Sequence, residues 1–175
     1  EPSVTLDPRG GEIMRLSYEI LEAIGSRYGE SFYILDSTQF IANYRELEGA
    51  FTHVYPNSRI AYSYKTNYTP RLCSIVDNLG GFAEVVSGME YQIALKVGVS
   101  PKNVFFNGPY KEPAAVEELL LAGGTVNIDS EFDLHTLKDI AGRHPHSELS
   151  VGIRCNFEIQ DGHRSRFGLD VDSNE

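Results

Sequence analysis

RIAYSYKTNYTPRLCSIVDNLGGFAEVVSG, residues 59–88, is the stretch whose reading decides the fold. It opens on an apolar, aromatic run at 59–65, short enough for a strand. A helical pattern over 70–79 follows, and Gly80 stands where a helix favours a left-handed terminal residue. A second apolar run begins at Phe82 and continues to Ser87. The unit then recurs, with strands predicted at 103–108, 125–130 and 149–156. Helices are predicted at 89–97, 113–122 and 132–143, with Gly98 and Gly123 at two of their ends. Such alternation implies a parallel sheet, and crossover helices leave a barrel or a doubly wound sheet as the common solutions.

Upstream of this stretch the pattern is less regular. Residues 11–28 carry Ile13, Leu16, Ile20, Leu21 and Ile24 at helical spacing, which predicts a helix. The run SFYILD at 31–36 predicts a strand. Asp36, Ser37 and Thr38 then offer helix caps ahead of Phe40, Tyr44, Leu47 and Phe51. Residues after Asn156 show no further strand-helix unit and read as loop.

The strand ends favour the barrel, because in a barrel the chemistry gathers at the carboxyl ends of several different strands. Here those ends carry Lys65, Glu84 with Ser87, Asn107, Asp129, and Arg154 with Asn156. A nucleotide-binding sheet would show a glycine-rich turn opening a helix, whereas Gly80-Gly81 precedes a strand.

Composition narrows the function classes. With 175 residues, 41% of them hydrophobic, the chain suffices for one sizeable core. A formal net charge of −10 without basic runs argues against a nucleic-acid partner. No stretch approaches the ~20 apolar residues that span a bilayer, so the expectation is a soluble, cytoplasmic protein without a membrane partner. Cys73 and Cys155, the two cysteines, sit in apolar periodic segments and read as packed thiols, not as a disulfide or metal pair. No metal site is expected, the short polar turn His144-Pro145-His146 included. Glu117 and Glu118 read as a solvated helix face. Asp161, His163, Arg164 and Arg166 form a charged loop.

Three charged residues stand out. Lys65 shares a strand face with the small residues Ala61 and Ser63. A strand lysine is ordinarily an edge gatekeeper or a solvated end. One desolvated in a barrel mouth can instead lose its proton and form a Schiff base. Glu84 lies within the apolar strand FAEVVS, where a carboxylate is costly unless something pairs with it. Arg154 stands near the end of another buried-looking strand, with Asp129 or Glu84 as possible scaffold partners.

The ordered series YSYKTN (62–67), AEVVSGMEYQ (83–92), NVFFNGPYK (103–111), VNIDS (126–130), GIRCN (152–156) and SRFGLDV (165–171) resembles the amino-terminal barrel half of the diaminopimelate/ornithine decarboxylase family. The resemblance implies an α/β fold that is part of a (β/α)8 TIM-like barrel of pyridoxal-phosphate fold type III, roughly its first five strands. It implies pyridoxal 5'-phosphate bonded to Lys65, with Glu84 and Arg154 also binding the cofactor. Glu84 stands where the family usually has aspartate. Glu90 matches the glutamate of the family's serine-glycine-glycine-glutamate motif, with Met89 replacing a glycine, and Arg166-Phe167-Gly168-Leu169 resembles its basic-Phe-Gly-Leu loop. The implied activity is decarboxylation of a diaminopimelate-like amino acid or related carboxylated amine, in a protein that is a homodimer when complete. The alternatives are an alanine-racemase-like enzyme on the same barrel and a non-catalytic half-barrel interaction module. By the same resemblance, 1–30 is a helical extension and 31–175 the amino-terminal part of the barrel. The family's remaining strands, phosphate loop and all-β domain are not found in this chain.

Overall fold

A computed structural model describes residues 3–6, 12–158, 162 and 167–171. The chain forms two compact units, residues 1–47 and 48–175. The first begins with an antiparallel pair, β1 (Ser3–Leu6) and β2 (Glu12–Arg15). Helix α1 (Tyr18–Tyr28) follows, with the Ser17 hydroxyl accepting from the Ile20 amide. The single helix predicted over 11–28 is therefore a strand and a shorter helix. Ser17 restarts the chain as a cap, and the residues before it find a pairing partner that helical periodicity cannot reveal. Residues 31–36 form no strand. Their apolarity was the signal, but a strand also needs a partner, and Tyr33, Ile34 and Leu35 are exposed. Asp36 does cap α2 (Ser37–Val54), accepting from the Gln39 amide at 2.9 Å.

The second unit holds a five-stranded parallel sheet of β3 (Ala61–Ser63), β4 (Phe82–Val85), β5 (Val104–Phe106), β6 (Thr125–Ile128) and β7 (Ser150–Ile153), hydrogen-bonded in that order. The crossovers are α3 (Pro70–Asn78), α4 (Gly88–Val97), α5 (Pro113–Leu121) and α6 (Glu131–Arg143). Gly80, Gly98 and Gly123 follow three of these helices at φ of 84°, 98° and 87°, the left-handed region anticipated for them.

Alternation assigns the two sheet faces. Ala83, Val85, Val104, Phe106 and Val126 are buried in one cluster with Ala94, Val116, Leu119, Leu120 and Ile140 of the helices. Tyr64 and Cys73 belong to the same cluster. Burial, together with the neighbouring Cys73 thiol, pushes the Tyr64 phenol well above its usual range, and burial raises Cys73 in turn. The residues between, Ser63, Glu84, Phe105, Thr125 and Asn127, occupy the other face.

The strand predicted over 149–156 divides at Arg154. Its amide donates to Ile128 O on β6, while its carbonyl accepts from Leu169. Beyond it, β8 (Cys155–Asn156) pairs in parallel with β9 (Leu169–Asp170), a short strand where only loop was expected.

Candidate functional site

The carboxyl ends of the strands enclose a cavity of about 670 Å³. Lys65, Glu84, Asn107, Asn127, Arg154 and Phe167 are among its walls. Lys65, Glu84 and Arg154, singled out from sequence on three separate strands, thus line one space. Lys65 is exposed, in the turn that follows β3. Two residues before it in the chain, Ser63 carries a buried hydroxyl without a hydrogen-bond partner among the described residues. Pairing across the sheet puts Ser63 opposite Glu84.

Glu84 is held by a polar ladder across three strands. Asn107 Nδ2 donates to Glu84 Oε1 at 3.0 Å, and Asn127 Nδ2 donates to Asn107 Oδ1. On the adjoining strand Gly152 leaves room for this row, since a Cβ there would stand 2.0 Å from Asn127 Oδ1. The carboxylate is accordingly half-buried with a defined donor, which answers the cost of placing it in an apolar strand.

The Arg154 side chain meets Asp129 and Phe167 among the described residues. Its Nη1 donates to Asp129 Oδ2 at 3.0 Å, and its guanidinium lies over the Phe167 ring, 5.0 Å from the centroid. Asp129 Oδ1 accepts from the Gly168 amide at 2.6 Å. The scaffold pairing with Asp129 is real, and it leaves the arginine on the cavity wall.

Two further acids hold helix starts beside the cavity. The Ser87 hydroxyl accepts from the Glu90 amide, and the Glu90 carboxylate reaches back to the Val86 amide at 2.9 Å. The same exchange recurs at α6 between Ser130, Asp133 and the Asp129 amide. Lys111, which composition and periodicity did not single out, is 1% exposed and lies 2.6 Å from Asp133 Oδ2. The available signal was its place in NGPYK immediately after a strand.

Other candidates fall elsewhere. Glu117 is not merely solvated: it pairs with Arg143 at 2.8 Å and His144 at 2.7 Å, and these partners, Arg143 first, hold its carboxyl below the usual range. Cys73 is buried as expected, but Cys155 is exposed, a correction that follows from the break in the strand at Arg154. Asp161, His163, Arg164 and Arg166 lie outside the described residues. Among the described residues no helix is long and apolar enough to cross a membrane.

Residues 41–175 match the family described as pyridoxal-dependent decarboxylase, pyridoxal binding domain. The chain belongs to this family. Diaminopimelate decarboxylase of Aquifex aeolicus is 27% identical over 180 residues, which cover 95% of this chain and 40% of that protein. A probable chloroplastic diaminopimelate decarboxylase of Oryza sativa subsp. japonica is 33% identical over 141 residues, 79% of this chain and 28% of that one. Among solved structures, diaminopimelate decarboxylase from M. jannaschii, in co-complex with L-lysine, superposes with a TM-score of 0.78 at 24% identity, covering 98% of this chain and 42% of that one. That likeness shows the fold: the five-stranded sheet is the amino-terminal part of a pyridoxal-phosphate type III barrel. The chain therefore spans less than half the length of these relatives.

Proposed function

We propose that this pyridoxal-dependent decarboxylase domain serves decarboxylation of a diaminopimelate-like amino acid, with Lys65 as the residue that covalently carries pyridoxal 5'-phosphate. The observation that supports this reading most is the convergence of Lys65, Glu84 and Arg154 on one cavity at the strand ends. The donor set fits the cofactor. Lys65 offers an exposed amine for its aldehyde, and Glu84 and Arg154 offer opposite charges to its polar groups. The Ser63 hydroxyl lacks a partner among the described residues. When bound, the cofactor supplies an electron sink for the charge left as carbon dioxide departs. Glu84, fixed by Asn107, presents its carboxylate on the same cavity as the Lys65 amine. Arg154, half-neutralised by Asp129, orients anionic groups without presenting a full unpaired charge.

The substrate preference rests on the two sequence relatives named above, both of which carry the name diaminopimelate decarboxylase, one of them as probable. A homodimeric, cytoplasmic enzyme is part of the same reading. The exposed apolar side chains Met89, Tyr110, Phe132 and Phe157, on the loops and first helical turns that follow strands, support a covering element on the carboxyl-end side of the sheet. Borohydride reduction of the complete, cofactor-loaded protein, followed by peptide mapping, should place the label on Lys65. A label on Lys96, Lys102 or Lys111 would sink the assignment, and a colourless protein that takes up no cofactor would favour an interaction module.

A further inference from the structure

Lys111 is the feature that neither the core nor the cavity walls explain. Its ammonium is buried, and among the described residues it meets the Gly108 carbonyl at 2.7 Å and Asp133 Oδ2 at 2.6 Å. Taking a lysine and an aspartate out of water costs several kcal/mol per ion, and apolar residues of similar volume would often be neutral or better. A buried pair that stabilises little calls for another role.

Its connections supply one. The Asp133 oxygen that meets Lys111 also accepts from the Asp129 amide at 2.9 Å. Asp129, 9% exposed, spends its own carboxylate on Arg154 and on the Gly168 amide. Gly108, the other anchor of Lys111, lines the cavity, and its positive φ of 102° fits a turn where a Cβ would crowd Val86 at 3.1 Å. Two buried carboxylates, Asp129 and Asp133, are thus matched by two cations, Lys111 beneath the loops and Arg154 on the cavity wall.

We infer that Lys111 and Asp133 are a positioning pair: they fix Asp129, and through it set Arg154 and the Gly168 amide at the cavity. Neither touches the cavity's contents. The inference rests on the proposed cofactor and substrate site in assigning Arg154 a use, but the positioning itself is a property of the fold.

The test uses the full protein that carries this chain. Lys111→Met should weaken pyridoxal phosphate binding about tenfold in an absorbance titration. In an Arg154→Met background the same change should add less than about twofold, because coupled residues are non-additive. Equal losses in both backgrounds would reduce Lys111 to general scaffold and overturn the inference. Amide exchange supplies a readout independent of cofactor. The Gly168 amide should exchange at least about tenfold faster in Lys111→Met, while the Val86 amide at α4 stays unchanged. Unchanged exchange at Gly168 overturns the inference. If the parent binds no cofactor, the functional reading fails and the exchange result alone decides the positioning. Lys111→Met leaves Asp133 unpaired and can unfold the chain, so the same measurements are taken on Lys111→Met/Asp133→Asn. That neutral pair keeps an acceptor for Asp129, lacks the ammonium link, and should loosen Gly168 as well.

Discussion

Helices α4 and α6 start on the same local pattern, Ser87-Gly-Met-Glu90 and Ser130-Glu-Phe-Asp133, and end up in different electrostatic circumstances. In both, the serine hydroxyl caps the helix, and an acid three residues on reaches back to the amide preceding the serine. At α4 that preceding residue is Val86. At α6 it is Asp129, a second carboxylate. Lys111 answers the added charge from the neighbouring loop, and Glu112 beside it reaches the other way, accepting from the Gly88 amide of α4 at 3.0 Å. Adjacent residues of one loop therefore brace both helix starts. A capping motif can be recognised locally, but the charge it must live with is set by the strands on either side.

The largest effect should come from breaking α6. Asp133→Ala removes the acid and strands Lys111 in the interior, and should cost about 3–5 kcal/mol in urea unfolding. Glu90→Ala removes only an acceptor for one amide and should cost about 1–3 kcal/mol. Equal costs would show that the charge surroundings of the two starts do not differ in energy. Ser87→Ala and Ser130→Ala isolate the part the helices share, and each should cost about 1 kcal/mol. A clear inequality between the serines would mean that the caps themselves diverge.

The smallest effect is one of pH. Cys73 is raised by burial and, more weakly, by the Glu90 charge, and Tyr64 is raised by burial beside it. Both stay protonated in the fold at pH values where their unfolded counterparts, near 8.5 and 10, ionise. Stability from this pair is fully present below about pH 8.5 and declines as pH rises above it. Urea midpoints at neutral and alkaline pH check the decline, which should shrink in Tyr64→Phe/Cys73→Ala. Cys155, exposed, should react with a thiol reagent far faster than Cys73.

Much of this arrangement was legible in the sequence. Recurring apolar runs and helix-ending glycines in residues 59–153 yield the parallel sheet, because each unit announces its own period. Lys65, Glu84 and Arg154 were visible as charges at or within strands. The first unit misled where a stripe over 11–28 and an aromatic run at 31–36 satisfied patterns without revealing pairing. Lys111 escaped notice since a lysine in a polar loop looks solvated, and only the return of α6 brings Asp133 to it. The Asn107–Asn127 ladder is likewise a matter of register, which spacing within one strand does not encode.

That ladder bears on how this site can drift. With Asn127 in place, alanine at position 152 meets an oxygen at 2.0 Å, and at any larger residue the Cβ does the same. The Asn127 carboxamide must then turn away or give way to something shorter, and either change disturbs its bond to Asn107 and with it the hold on Glu84. Positions 152 and 127 are therefore coupled. Homologues bearing a residue other than glycine at 152 should show the Asn127 amide turned from Asn107 or a smaller residue at 127.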